Sequence, residues 1–144
     1  MGLFGNQDAA EVPDNPFYVA PDTYYCKLVE ANRVEKKDGS GEGLSFKWLI
    51  EDEDSDYNGN TVQDWKNIYP DIADDEITPN IRKDFSRLKQ RLGEMGIPES
   101  EMDSLLDNLE DLVGMYAYVT VVETTDRNDP TKKYTNVRTV RIDE

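Results

Sequence analysis

The stretch LSFKWLIE at residues 44–51 decides how the chain divides into elements, because its apolar and polar residues alternate. The apolar side chains of one parity are Leu44, Phe46, Trp48 and Ile50. Ser45 and Lys47 occupy the other parity. A period of two over this length predicts a β-strand with one buried face. Phe46 and Trp48 are therefore expected in the core rather than at a ligand.

Similar runs on both sides of this strand set the fold. The predicted elements are strands at residues 23–33, 44–51 and 61–69, helices at 78–95 and 98–113, and strands at 115–125 and 134–143. Five strands with helix between the third and fourth is the order of an OB-fold, a five-stranded Greek-key barrel. The predicted class is therefore mainly β with a helical insert. Residues 17–144 would form this single domain, and the small, polar residues 1–16 a flexible N-terminal arm.

The first predicted helix has recognisable ends and an amphipathic pattern. Thr78 is a favourable N-cap, Pro79 suits the first helical position, and Gly96 follows the last turn. Its apolar stripe comprises Ile81, Phe85, Leu88, Leu92 and Met95. Five cations lie largely off that stripe, namely Arg82, Lys83, Arg87, Lys89 and Arg91. The second predicted helix begins at Pro98 and turns Leu105, Leu109 and Val113 inward, so the two helices are expected to form a hairpin that caps the barrel.

The composition excludes several kinds of chemistry. The 144 residues contain no histidine and one cysteine, so Ser-His-Asp and Cys-His sites and zinc sites built on these residues are impossible within the chain. Residues 54–59 begin like a calcium loop, but Trp65 stands where that pattern needs Glu. No pair of carboxylates suggests catalysis. We therefore expect no enzyme, no metal and no cofactor.

Cysteine usage and hydropathy bear on the compartment. Cys26 lies alone in a predicted strand, where a small core residue is expected. A single thiol, with no secretory signal and no long apolar stretch, favours a reducing cytoplasm and no membrane partner.

The net charge of −15 is unevenly distributed. Residues 51–60 carry five acids, and residues 98–114 carry six acids and no base. Residues 78–97 instead carry five bases and two acids. A cationic face can exist on an acidic protein, because salt screens exposed charges beyond about 10 Å. The basic first helix could also pair with the acidic second one.

Four stretches carry a likeness to known proteins: TYYCKLVE at 23–30, YNGNTV at 57–62, DLVGMYAYVTV at 111–121 and KYTNV at 133–137. Through them the chain, over residues 17–143, resembles phage-encoded single-stranded-DNA-binding proteins with an OB-fold and a helical insert before the fourth strand. The resemblance implies sequence-tolerant binding of single-stranded DNA in phage replication or recombination, within the host bacterial cytoplasm. Replication or recombination proteins would be further partners. Exposed strand edges often associate, so a homo-oligomer is also compatible with this fold.

Binding of this kind needs aromatic rings that stack on bases and cations that follow phosphates. The aromatic candidates in predicted strands are Trp65, Tyr69, Tyr116, Tyr118 and Tyr134. The cationic candidates are Lys36 and Lys37 in the first loop, Arg127, Lys132 and Lys133 in the last, and Lys47, Lys66 and Arg138 between them. In an OB-fold these two loops flank the ligand face.

Two other functions fit parts of the sequence. The net charge and the acidic residues 51–56 suggest a protein-interaction module, or a DNA mimic that inhibits a host DNA-binding protein. A carboxylate-based nuclease would use Asp71, Asp74 or Asp75, although none of these forms a convincing pair.

Overall fold

The structure is a computed structural model that describes residues 2, 3, 5, 9, 18–131 and 133–143. Its strands are β1 (Asp22–Glu35), β2 (Glu42–Ile50), β3 (Thr61–Ile68), β4 (Tyr116–Thr125) and β5 (Lys133–Ile142). Two helices, α1 (Pro79–Glu94) and α2 (Glu99–Met102), lie between β3 and β4. The predicted mainly-β class with a helical insert is confirmed. The predicted arm at 1–16 lies almost wholly outside the described residues.

The five strands form one antiparallel sheet in the order β3-β2-β1-β4-β5. β1 is shared between two neighbours: Asp22 to Lys27 pair with β4, and Cys26 to Glu35 pair with β2. A bulge between Leu28 and Glu30 shifts the register in the middle of β1, and bulges bend a strand. Among the described residues no hydrogen-bonded ladder joins β3 to β5. The sheet is therefore open, which corrects the expectation of a closed barrel.

The core lies on one face of this sheet. The side chains of Phe46, Trp48 and Cys26 are completely buried there, as their parity predicts. Burial raises the pKa of the Cys26 thiol to about 12, so this side chain is an uncharged packing group.

The ends of α1 form as the sequence predicts. Thr78 Oγ1 accepts a hydrogen bond of 3.2 Å from the Ile81 N–H, and Pro79 opens the helix. Gly96 follows the last turn with φ +81°, and the Ile97 N–H donates to the Leu92 carbonyl oxygen at 3.0 Å. This is a Schellman motif, which requires a left-handed residue where glycine is favoured. The apolar stripe is buried only toward this end of the helix.

The second helix is shorter than predicted. α2 covers only Glu99–Met102, and two 3-10 turns follow at Leu105–Asp107 and Leu109–Leu112. The Ser104 hydroxyl donates to the Glu101 carbonyl oxygen, and the Asn108 amide donates to the Ser104 carbonyl oxygen. Such side-chain bonds compete with helical geometry. Leu105 and Leu109 still reach the core, but Val113 is exposed, contrary to prediction.

Candidate functional site

The face of the sheet turned away from the core carries a group of aromatic and cationic side chains. Tyr25 lies opposite Tyr118, and Lys27 lies opposite Tyr116, across the β1–β4 ladder. Arg141 on β5 lies opposite Tyr118. Directly opposed residues in an antiparallel pair project to the same face. The register therefore gathers all five side chains on the outer surface of three adjacent strands.

The rings of Tyr25, Tyr116 and Tyr118 form what we call the tyrosine cluster. Tyr25 and Tyr116 stack with centroids 5.5 Å apart and planes 14° from parallel, and Tyr25 contacts Tyr118 at 5.1 Å. Lys27 Nζ lies 5.8 Å from the Tyr116 centroid, and the Arg141 guanidinium carbon lies 4.5 Å from that of Tyr118. Both distances allow cation–π attraction. Half-buried flat rings thus lie next to two cations.

A hydrogen bond fixes the central ring of the tyrosine cluster. The Tyr25 hydroxyl donates to Asp143 Oδ2 at 2.6 Å. Chiefly through this bond, the pKa of Tyr25 is raised to about 12, so the ring stays neutral at physiological pH.

Trp65 forms a second exposed aromatic surface, on β3. Its indole lies over Gly43 of β2, so close that a Cβ added at Gly43 would lie 2.2 Å from two atoms of the ring. Trp65 Nε1 donates to Asn67 Oδ1 at 2.8 Å, and the side chain remains 36% exposed. Because Gly43 has no side chain, the indole rests on the backbone of β2 with its other surface free.

Lys47 belongs to the same face as Trp65. On β2 it lies two residues from Ser45, which is directly opposite Trp65. Within the described chain Lys47 forms no ion pair, although Glu30 lies opposite it on β1. The register thus places Trp65 and Lys47 on the same face of neighbouring strands.

Three other candidates lie beside α1. Lys66 Nζ lies 2.9 Å from Asp64 Oδ1. The Tyr69 hydroxyl donates to Asp84 Oδ2 of α1 at 2.6 Å, a bond that lowers the pKa of Asp84 and raises that of Tyr69. Arg138 lies in the β5 register shift beside α1. Tyr69 therefore ties the end of β3 to α1 and does not offer a free ring surface.

The loop candidates lie at opposite ends of β1. Lys36 and Lys37 are exposed after its last residue, and Arg127 is exposed in the β4–β5 loop beyond its first. Lys133 Nζ lies 3.4 Å from Glu123 Oε1, and the exposed Tyr134 donates its hydroxyl to Asp126 Oδ2 at 3.2 Å. Lys132 lies outside the described residues. No hydrogen bond, ion pair or ring contact joins the described members of this group to the tyrosine cluster.

The sequence reasoning missed Tyr25, Lys27 and Arg141. A signal for the first two existed, because placing Tyr24, Cys26 and Leu28 in the core leaves the alternate positions of β1 outside. Arg141 becomes part of the group only through the pairing of β5 with β4, which its local sequence does not reveal.

Nothing in the described part of the chain assembles a metal site from three or more His, Cys, Asp or Glu side chains. Across residues 18–131 and 133–143 there is also no helix with the length and apolar character needed to cross a membrane. No protein-family model matches this sequence, and no curated protein matches it. The chemistry of the outer face is therefore the basis for assigning a function.

Proposed function

We propose that this chain is a sequence-tolerant single-stranded-DNA-binding protein that acts in phage DNA replication or recombination. The observation that carries the proposal is the tyrosine cluster with Lys27 and Arg141 beside it. Aromatic rings that stack on bases contribute about 1–3 kcal/mol per base, whatever the base. Cations next to them can replace the counterions of the phosphates.

The proposal includes an OB-type barrel in which α1 completes the wall between β3 and β5. Support comes from Arg91 of α1, which contacts both edge strands. Its Nε lies 2.8 Å from Asp64 Oδ2 of β3, although the two atoms are not aligned for a hydrogen bond. Its Nη2 donates to the carbonyl oxygens of Val137 at 3.0 Å and Arg138 at 3.3 Å in β5. Arg91 thus connects β3 with β5, between which the described residues form no hydrogen-bonded ladder.

The two aromatic surfaces lie on one continuous face in this proposal. Lys27 is opposite Tyr116 on β4 and opposite Leu49 on β2, and Leu49 is opposite Thr61 on β3. This row crosses four strands, a width of about 14 Å at the usual strand spacing. A single DNA strand crossing the row would meet the tyrosine cluster on one side and Trp65 on the other.

Tryptophan fluorescence tests the proposal directly, because Trp48 is fully buried and Trp65 is exposed. We expect an oligo-dT strand to quench the emission, with affinity that falls steeply as salt rises. Trp65→Phe should abolish the quenching. Trp65→Ala with Tyr116→Ala should weaken binding at least fivefold, measured by anisotropy of a labelled oligonucleotide, since stacking on each base is worth about 1–3 kcal/mol.

Phe85→Ala is the matched control, because Phe85 on α1 has the same 36% exposure as Trp65 but lies next to Leu88 and Met102 of the helical insert. It should leave affinity unchanged. Absence of quenching and of a gel shift at low salt would reject the proposal.

An acidic interaction module is the second candidate, favoured by the loop after β2. None of its five acids, Glu51, Asp52, Glu53, Asp54 and Asp56, forms an ion pair with another described residue. Replacing all five with the corresponding amides should preserve or strengthen DNA binding if the first proposal is correct. The module is favoured instead if the wild-type chain does not bind DNA but captures a basic host DNA-binding protein, and the amide variant loses that capture.

A further inference from the structure

A cationic cleft opens between β3, α1 and β5, at the face of β3 to which Lys66 projects. Its volume is about 200 Å³. Its lining residues, which define what we call the seam cleft, are Lys66, Arg87, Gln90, Arg91, Glu94 and Arg138. Four of these six side chains are cations, which is unusual on a chain with a net charge of −15.

Arg91 forms the floor of the seam cleft and is held rigidly. Its side chain is only 5% exposed, and in addition to Asp64 it contacts Glu94 Oε1 through Nη1 at 2.6 Å. Its Nη2 is bound to two carbonyl oxygens of β5. With three of its five N–H donors hydrogen-bonded inside the protein and its Nε beside Asp64, Arg91 positions the cleft and offers little to a ligand.

The other cations keep unused donors. Arg138 is exposed and has no carboxylate within 4.0 Å among the described residues. Arg87 is 66% exposed and uses only Nη1 toward Asp84, at 3.2 Å. Lys66 Nζ donates to Asp64 Oδ1 and to the Trp65 carbonyl oxygen, which leaves one N–H of its ammonium. The amide of Gln90 adds two N–H donors at the same opening.

The charge balance of the cleft favours an anion. Its four cations face one lining carboxylate, Glu94, and the two carboxylates behind them, Asp64 and Asp84. One net positive charge therefore remains, and it is carried by the guanidinium groups with free N–H donors. Guanidinium groups match the oxygen geometry of phosphate and bind it in bidentate fashion.

We propose that the seam cleft binds a phosphate group, held by Arg87, Arg138 and Lys66. The source of the phosphate rests on the proposed function: it belongs to a DNA strand that crosses Trp65 and continues over the border between β3 and α1. Trp65 Nε1 donates to Asn67 Oδ1, the Asn67 amide donates to Asp84 Oδ2 of α1, and Asp84 Oδ1 accepts from Arg87 of the cleft. A DNA strand that leaves the indole therefore reaches the cleft along this chain of hydrogen-bonded side chains.

Inorganic phosphate tests the cleft without DNA. In ¹⁵N-labelled protein we expect phosphate to shift the side-chain Nε–Hε signals of Arg87 and Arg138 saturably, and to leave that of Arg82 unmoved. Arg82 is an exposed arginine on the same helix outside the cleft. Equal shifts at Arg82, or no shifts at all, would overturn the phosphate site.

Salt titration of oligo-dT binding tests the source of the phosphate. Arg87→Gln with Arg138→Gln should reduce the slope of log K against log salt by about 0.7, the value for one phosphate of a single strand. Arg82→Gln with Lys83→Gln removes the same charge from α1 outside the cleft and should keep the slope. Trp65 quenching should persist in both variants.

The two experiments separate the two proposals. Phosphate-induced shifts with an unchanged slope would reject the DNA source and assign the cleft to a small phosphorylated ligand. If phosphate shifts the arginine signals of the wild-type chain but oligo-dT does not quench its fluorescence, the proposed function is rejected. The phosphate site is then retained.

Discussion

At the scale of single residues, Gly43 controls where the indole of Trp65 lies. The six-membered ring occupies the space that any side chain at residue 43 would need. The exposed aromatic surface on β3 thus depends on a residue of β2 that contributes no side chain. A glycine inside a strand often marks such a close approach.

Gly43→Ala should expel the indole from its place. We expect a red shift of Trp65 emission and an affinity for oligo-dT close to that of Trp65→Ala, because the ring can move into solvent while the fold persists. Gly41→Ala is the control, since a Cβ there would meet nothing within 4 Å. Equal emission spectra for the two variants would show that Gly43 does not position Trp65.

Side chains whose environment depends on local alternation could be predicted from the sequence. Phe46, Trp48 and Cys26 are buried as their parity indicates. Arg91 could not be predicted, because the cations of α1 look alike in sequence and its partners lie on β3 and β5. The bond of Tyr69 to Asp84 could not be predicted for the same reason, because Asp84 lies on α1 and is remote from the local pattern.

At the scale of elements, the end of α1 offers a matched pair of glycines. Gly96 has φ +81°, and a Cβ there would lie 2.9 Å from Ile142 Cδ1. Gly93 is helical, exposed and free of neighbours within 4 Å. The two glycines are three residues apart. Residue 96 requires glycine, whereas residue 93 has room for a side chain.

Gly96→Ala should destabilise the protein by about 1–2 kcal/mol, because a Cβ disfavours the left-handed conformation. Gly93→Ala should stabilise it by up to about 1 kcal/mol, because alanine is the better helix former. Urea unfolding monitored by circular dichroism measures both changes. Shifts of the same sign would contradict the assignment of the helix end.

The helical insert shows which structural features the local sequence pattern predicts and which it does not. The ends of α1 were predictable because Thr78, Pro79 and Gly96 act on the backbone next to them. The segment after Pro98 has helical spacing of its leucines, yet it forms 3-10 turns around Ser104 and Asn108. Apolar spacing predicted the burial of Leu105 and Leu109 but not that of Leu112, whereas polar side chains that bind the local backbone decided the geometry.

At the scale of the whole molecule, the contact between Arg91 and Asp64 holds α1 against an edge of the sheet. Both side chains are at most 5% exposed. Removing one member of a buried pair costs about 3–5 kcal/mol, because the other charge is left buried without a partner. Exposed pairs such as Arg33 with Glu42 contribute about 1 kcal/mol or less.

Arg91→Met should therefore lower the free energy of unfolding by at most about 3–5 kcal/mol, because Asp64 keeps Lys66 as a partner. Adding Asp64→Val should restore part of that loss, since the buried carboxylate is gone and valine suits a strand, whereas the half-buried Lys66 loses its partner. Arg33→Met, the surface control, should change stability by about 1 kcal/mol at most. Urea unfolding of the four proteins measures the coupling, and an additive double variant would show that the two side chains act independently.

The order of the strands and helices along the chain was readable from the sequence, since helix between the third and fourth of five strands is a property of the linear pattern. The distance between the two edge strands, β3 and β5, could not be predicted, because it depends on how α1 packs against both of them. The net charge was equally uninformative about the outer face, where Lys27 and Arg141 lie beside the tyrosine cluster on a strongly acidic chain.

The double pairing of β1 has a consequence for how the molecule assembles. β1, β2 and β3 follow one another along the chain, as do β4 and β5, so each group closes only short loops. In the described residues the ladder between β1 and β4 is the one that joins the groups, and it closes a loop of about two thirds of the chain. Because chain entropy opposes long loops, we expect this junction to limit the rate of folding. Substitutions along it should then slow folding, whereas those in the outer hairpins should chiefly hasten unfolding.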